Sequence, residues 1–105
     1  MNAKKAISLT ELKNLLAANA AALKIIDIRS AEEYDKLHIP VAENIAVEEL
    51  EYRLPSFSKD DTIVCICNKG HERSQNAAEF LYNSGFKDTF YLEGGTLGWF
   101  NAPNT

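Results

Sequence analysis

The residue types able to do chemistry gather in one short run of the chain, Cys67-Asn68-Lys69-Gly70-His71-Glu72-Arg73-Ser74. The run follows a β-branched apolar stretch at residues 62–67 and precedes a stretch with helical periodicity. In open α/β sheets, binding sites form beyond the C-terminal ends of the strands, where loops enter helices. Such a loop can curl its backbone N–H groups inward as an anion nest at the helix N-terminus. Gly70 supplies the φ freedom that the curl needs. A cysteine that opens the loop sits with its sulfur at the centre of the nest. Inward amides, the helix dipole and Arg73 all favour the thiolate, the nucleophilic form. Arg73 also offers planar, bidentate donors to an oxyanion. Ser74 could bond the thiolate or cap the helix, and the sequence leaves both open.

A cysteine at the end of an apolar strand is ordinarily a small buried hydrophobe. The spacing Cys-x5-Arg-Ser between a strand and a helix moves Cys67 from that class to the expected nucleophile. Cys65, two residues earlier, is expected in the core. A Cys65–Cys67 disulfide within one strand has poor geometry. Zinc is not expected, because Cys65, Cys67 and His71 lack a fourth ligand and do not follow the paired spacings of zinc sites. No metal or other cofactor is expected. Asn68, Lys69, Gly70, His71, Glu72 and Ser74 are the expected substrate-contacting set, with Cys67 and Arg73 as the catalytic pair.

The elements that must hold this loop alternate between strand and helix, the pattern of an α/β domain with a mainly parallel sheet. Residues 5–7 form a short strand. Ser8 opens a helix and Glu11 completes its capping box, with Leu9, Leu12, Leu15 and Leu16 as the apolar face. Residues 23–28 are a strand, after which Ser30 and Glu33 form a second capping box, opening a short helix that ends near residues 38–40. A brief strand is expected at 44–47 and one or two helical turns at 48–54, stopped by Pro55. Residues 62–67 are the central buried strand. A helix follows at 73–84, with Gly85 as its C-terminal cap. Residues 89–92 are the last strand, before Gly94-Gly95 and a short helix carrying Leu97, Trp99 and Phe100.

At 105 residues the chain is expected to be a single domain, 1–105. Its 46% apolar and 25% charged content is that of a globular protein. A net charge of −4 argues against nucleic acid as a partner. Two cysteines make no disulfide scaffold and suit a reducing, cytoplasmic setting. Thr10, Glu11, Lys13 and Asn14 interrupt the apolar character that a signal peptide needs, and no run reaches the ~20 apolar residues of a membrane span. Membrane is therefore not an expected partner. The acidic stretch from Glu43 to Glu51 reads as a solvated face.

Three separated motifs resemble one known family, the rhodanese-like domains, which share a fold with the cell-cycle dual-specificity phosphatases and yeast-type arsenate reductases. IIDIRSAEEYDKLHI at 25–39, followed by Pro40, is similar to the N-terminal signature of the family. LEGGTLGW at 92–99 is similar to the C-terminal one, and RSQNAAEFLYNSGF at 73–86 resembles the helix after the active-site loop. The likeness runs from about residue 7 to residue 100. It implies a three-layer α/β/α fold and a sulfurtransferase. Cys67 would take a sulfane sulfur from a donor such as thiosulfate as a persulfide and pass it to cyanide or a protein thiol. The loop amides would stabilise the persulfide, and Lys69 and Arg73 would draw in the small anionic donor. Asp27 and Arg29 are expected as a buried structural pair near the site, His38 as a turn residue and Trp99 as a packing anchor.

The pattern departs from the family in two places. Rhodanese loops usually carry the arginine five residues after the cysteine, and here Arg73 is six after Cys67. The phosphatases and arsenate reductases have that longer loop, which fits a tetrahedral oxyanion, so a cysteine-dependent phosphatase or arsenate reductase is the alternative. Leu37 and Val41 stand where glycines are common around His-Ile-Pro. A further alternative is a non-catalytic interaction module or sulfur carrier.

Overall fold

The computed structural model describes residues 5–18 and 22–101. Its strands are β1 (Ala6–Ile7), β2 (Leu23–Asp27), β3 (Glu43–Asn44), β4 (Thr62–Ile66) and β5 (Thr89–Leu92). They form one sheet in the order β1-β5-β4-β2-β3, and every pairing is parallel. The central strand β4 is in register with β2 from Leu23↔Thr62 to Asp27↔Ile66. A strand buried on both faces needs apolar side chains along its length, and the buried run Ile63 to Ile66 meets that need.

Helices cover both faces. They are α1 (Leu9–Ala17), α2 (Ala31–Lys36), α3 (Leu50–Arg53), α4 (Glu72–Asn83) and α5 (Gly95–Asn101). The two-residue period of β4 divides the core between them. Ile63, Cys65 and, just past the strand, Cys67 pack with Leu50 of α3 and Ala77, Ala78 and Leu81 of α4. Val64 and Ile66 pack on the other face with Leu12 of α1, against which Leu15, Leu16 and Trp99 are layered. The architecture is the expected three-layer α/β/α, with the sheet wholly parallel.

Both capping boxes form. Ser8 Oγ accepts from the Glu11 amide at 3.1 Å, and Glu11 returns the bond to the Ser8 amide at 2.9 Å. The Ser30–Glu33 box is closed at 3.2 Å in each direction. Gly85, at φ +103, ends α4 as expected, with the amides of Gly85 and Phe86 returning to the carbonyls of Tyr82 and Leu81. Helix α4 begins one residue earlier than its apolar period suggests, at Glu72.

Two expectations between β2 and β4 shift. The brief strand is Glu43–Asn44 instead of 44–47, because the chain turns at Ala46 into a 3-10 turn, Val47–Glu49. Pro55 does not stop the helical segment. It lies inside a second 3-10 turn, Leu54–Ser56, at a first-turn position whose N–H has no helical partner to lose. Among the described residues, no helix is long and apolar enough to cross a membrane.

Candidate active site

The site forms where β4 ends. Cys67 follows β4 directly and is buried, at 3% exposure. The chain then curls through residues 68–71 into α4. The turn before α5 fixes the base of this curl. The Thr96 amide donates to the Cys67 carbonyl at 2.9 Å, and the Leu97 amide to the Asn68 carbonyl at 3.0 Å. The approach is so close that a Cβ on Gly95 would lie 2.3 Å from the Cys67 carbonyl oxygen. Gly70 sits at φ +76, and a Cβ there would lie 2.5 Å from the Leu92 carbonyl oxygen. Both glycines are thus required by backbone contact as well as by φ.

The sulfur of Cys67 lies 3.1 Å from Ser74 Oγ, which in turn donates to the His71 carbonyl at 3.2 Å. Burial pushes the Cys67 thiol up. Hydrogen bonds from the Ser74 hydroxyl and from the backbone amides of Ser74, Gly70 and His71 outweigh it, and the net shift is downward. A ring of amides at the N-terminus of a twelve-residue helix therefore favours the anionic form of the sulfur. Cys65 is the opposite case. Fully buried and beside Cys67, its thiol is pushed up to about 12 by burial and by the neighbouring sulfur.

Arg73 does not enter the curl. Its two terminal nitrogens bind the two Glu33 oxygens at 2.9 and 3.0 Å, a bidentate pair at the partly exposed mouth. The hydrogen bonds from Arg73 hold the Glu33 carboxyl down at about 2. Glu33 also accepts from Asn68 Nδ2 at 3.2 Å. Asn68 Oδ1 accepts from Arg29 Nη1 at 2.9 Å, and Arg29 is held by Asp27 and the Leu37 carbonyl. The chain Arg73–Glu33–Asn68–Arg29–Asp27 thus runs from the surface to a buried ion pair.

A cavity of about 290 Å³ opens here, lined by Cys67, Asn68, Lys69, His71, Glu72 and Arg73. Of the expected site residues, Lys69, His71, Glu72 and Arg73 expose their side chains at its rim, while Gly70 and Ser74 are buried beneath it. Ser74 takes the thiol-bonding role of the two open to it, and α4 has no side-chain cap.

A family model for the rhodanese-like domain matches residues 8–102. The chain belongs to the rhodanese-like domain family. Within it, the chain is 32% identical to the thiosulfate sulfurtransferase GlpE of Shewanella oneidensis, over 97% of this chain and 98% of that one. It is 36% identical to the putative sulfur carrier protein YrkF of Bacillus subtilis over 89% of this chain, and spans about half, 49%, of that longer relative. The human single-domain sulfurtransferase TSTD1 superposes with a TM-score of 0.83 at 28% identity, covering 94% of this chain and 97% of that one.

The signatures of this rhodanese-like domain converge on the loop. Asp27 and Arg29, at 0% and 3% exposure, form the buried pair. His38 lies just past α2, stacked 3.8 Å from the Tyr34 ring, with Nδ1 at 2.7 Å from the Tyr34 carbonyl. Trp99 packs against the α1 face of the core. Sequence reasoning missed Glu33 as the partner of Arg73. Its place in a capping box explained it locally, and no sequence signal linked residue 33 to residue 73. The wedge made by Gly94-Gly95 was visible only as a glycine pair.

Proposed function

We propose that this rhodanese-like domain is a sulfurtransferase that carries a sulfane sulfur on Cys67. The observation that carries the reading is the buried Cys67 sulfur ringed by the Ser74 hydroxyl and the amides of Gly70, His71 and Ser74, which lower its pKa. The relatives named as sulfurtransferases support the same reaction class. The thiolate of Cys67 attacks the outer sulfur of a donor such as thiosulfate. The S–S bond of the donor breaks and sulfite leaves with the bonding electron pair. The amide ring that stabilised the thiolate then stabilises the persulfide anion. An acceptor thiolate or cyanide attacks the terminal sulfur, and Cys67 leaves as the thiolate ready for another cycle. No metal or cofactor takes part. The test is formation of thiocyanate from thiosulfate and cyanide, expected for the wild type and lost in Cys67→Ser. Turnover that survives in Cys67→Ser would overturn the reading.

One observation favours a second reading, oxyanion chemistry: the loop has the length Cys67-x5-Arg73, and it carries Glu72 at the cavity rim, where a general acid would be required. Hydrolysis of a small aryl phosphate, abolished by Cys67→Ser and by Arg73→Ala, would support it. Against it stands the engagement of both Arg73 terminal nitrogens by Glu33.

A further inference from the structure

Glu33 serves two elements at once. As the third residue of α2 it closes the capping box with Ser30. Across the mouth it takes both terminal nitrogens of Arg73, and it accepts from Asn68 as well. A capping box needs an acceptor at that position, and glutamine serves as well as glutamate. The negative charge is therefore surplus to the cap. Its effect is felt at Arg73, whose planar fork it fills in the same bidentate geometry that an oxyanion would adopt.

The charges around the cavity sharpen the point. Lys69 and Arg73 are its cations, and Glu72 and the Arg73-bound Glu33 offset them. Arg29, behind Asn68, is offset by Asp27. The thiolate then adds a negative charge of its own. Amide dipoles around Cys67 suit one sulfur anion, but an incoming dianion finds the arginine fork occupied.

We propose that Glu33 is a specificity-determining residue: by occupying Arg73 it weakens binding of small multiply charged donors and leaves the site suited to low-charge sulfane donors, thiol persulfides R–S–SH. The proposal rests on the sulfur-transfer reading above. In the step it favours, the Cys67 thiolate attacks the outer sulfur of R–S–SH and forms the Cys67 persulfide. The S–S bond of the donor breaks, and RS⁻ leaves with the electron pair and takes a proton from solvent. The sulfane sulfur carries its oxidation level with it, so no outside oxidant is needed.

The test is Glu33→Gln, which keeps the cap and removes the charge. Alkylation of Cys67 by anionic iodoacetate and by neutral iodoacetamide, followed by intact mass, reads charge discrimination at the mouth without sulfur chemistry. The iodoacetate-to-iodoacetamide rate ratio is expected to rise about two- to fivefold, the scale of an exposed ion pair, and the gain to shrink in high salt. The KM for thiosulfate falls by a similar factor, while turnover with an alkyl persulfide changes less. Ser30→Ala, which damages the cap and keeps the charge, leaves the ratio unchanged. An unchanged or lowered ratio in Glu33→Gln, or an equal rise in Ser30→Ala, would overturn the assignment. A raised ratio with no sulfur transfer from either donor would leave the charge role of Glu33 standing and remove the sulfurtransferase reading.

Discussion

Ser74 Oγ stands 3.1 Å from the sulfur of Cys67 and 3.2 Å from the carbonyl oxygen of His71. The hydroxyl has a single proton and two acceptors in reach. With Cys67 protonated, the thiol donates to Ser74 and Ser74 donates to His71. When the thiolate forms, the hydroxyl proton turns to the sulfur. The His71 carbonyl still accepts from the Gln75 amide at 3.1 Å, so the exchange leaves it bonded. The serine is a switchable donor to the sulfur, and its removal bears on the acidity of the thiol.

Ser74→Ala is therefore expected to raise the Cys67 pKa. A thiolate exists above its pKa and is lost as pH falls through it, so a higher pKa means less thiolate at neutral pH. The pH profile of Cys67 alkylation should move to the alkaline side, with the rate near neutrality severalfold slower and the plateau at high pH nearly unchanged. A profile that stays in place would mean that the amides alone set the acidity.

The two cysteines should behave differently. Cys65 is fully buried with its thiol pushed up to about 12, whereas the Cys67 thiol is lowered. Native protein treated with iodoacetamide at neutral pH should gain one label, at Cys67. Denatured protein should gain two. Peptide mapping that finds Cys65 labelled in the folded protein would contradict the burial assigned to it.

Much of the fold was legible because its local signals agreed with one another. Ser8 with Glu11 and Ser30 with Glu33 marked helix starts, the apolar run of β4 marked a central strand, and Gly85 marked a helix end. The start of the short β3 strand and the path through Pro55 were less legible, because two-residue pairing and 3-10 turns leave almost no periodicity. The loop that holds the proposed nucleophile could be read from Cys67, Gly70 and Arg73 in one contiguous run. The side-chain direction of Arg73 could not. It depends on Glu33, forty positions away, brought to the mouth by the sheet order that sets β2 beside β4. Contacts of that kind are set by tertiary packing and carry no local pattern.

The Gly95 wedge offers a backbone test. A Cβ at this position meets the Cys67 carbonyl at 2.3 Å and the Asn68 carbonyl carbon and oxygen at 2.7 Å, and φ is +57. Gly95→Ala should displace the base of the loop, costing about 1–3 kcal/mol of stability. Transfer activity should fall more than the loss of folded protein explains. Gly98→Ala is the control, since its nearest contact, at 3.8 Å, is ordinary.

The buried pair of Asp27 and Arg29 is also open to measurement. Asp27→Ala would strand the Arg29 guanidinium in the interior, and breaking a buried pair from one side costs about 3–5 kcal/mol. Urea unfolding should show the midpoint lowered by that cost divided by the slope, with the slope itself little changed. A cost under about 1 kcal/mol, the scale of an exposed pair, would mean that Arg29 finds water.

The most direct measurement is the intact mass of the reduced protein after incubation with thiosulfate, beside Cys67→Ser. The wild type is expected to gain one sulfur atom, cyanide to remove it, and the variant to gain none. A wild-type mass that never changes with thiosulfate or with an alkyl persulfide, or a sulfur acquired equally by Cys67→Ser, would contradict a persulfide on Cys67.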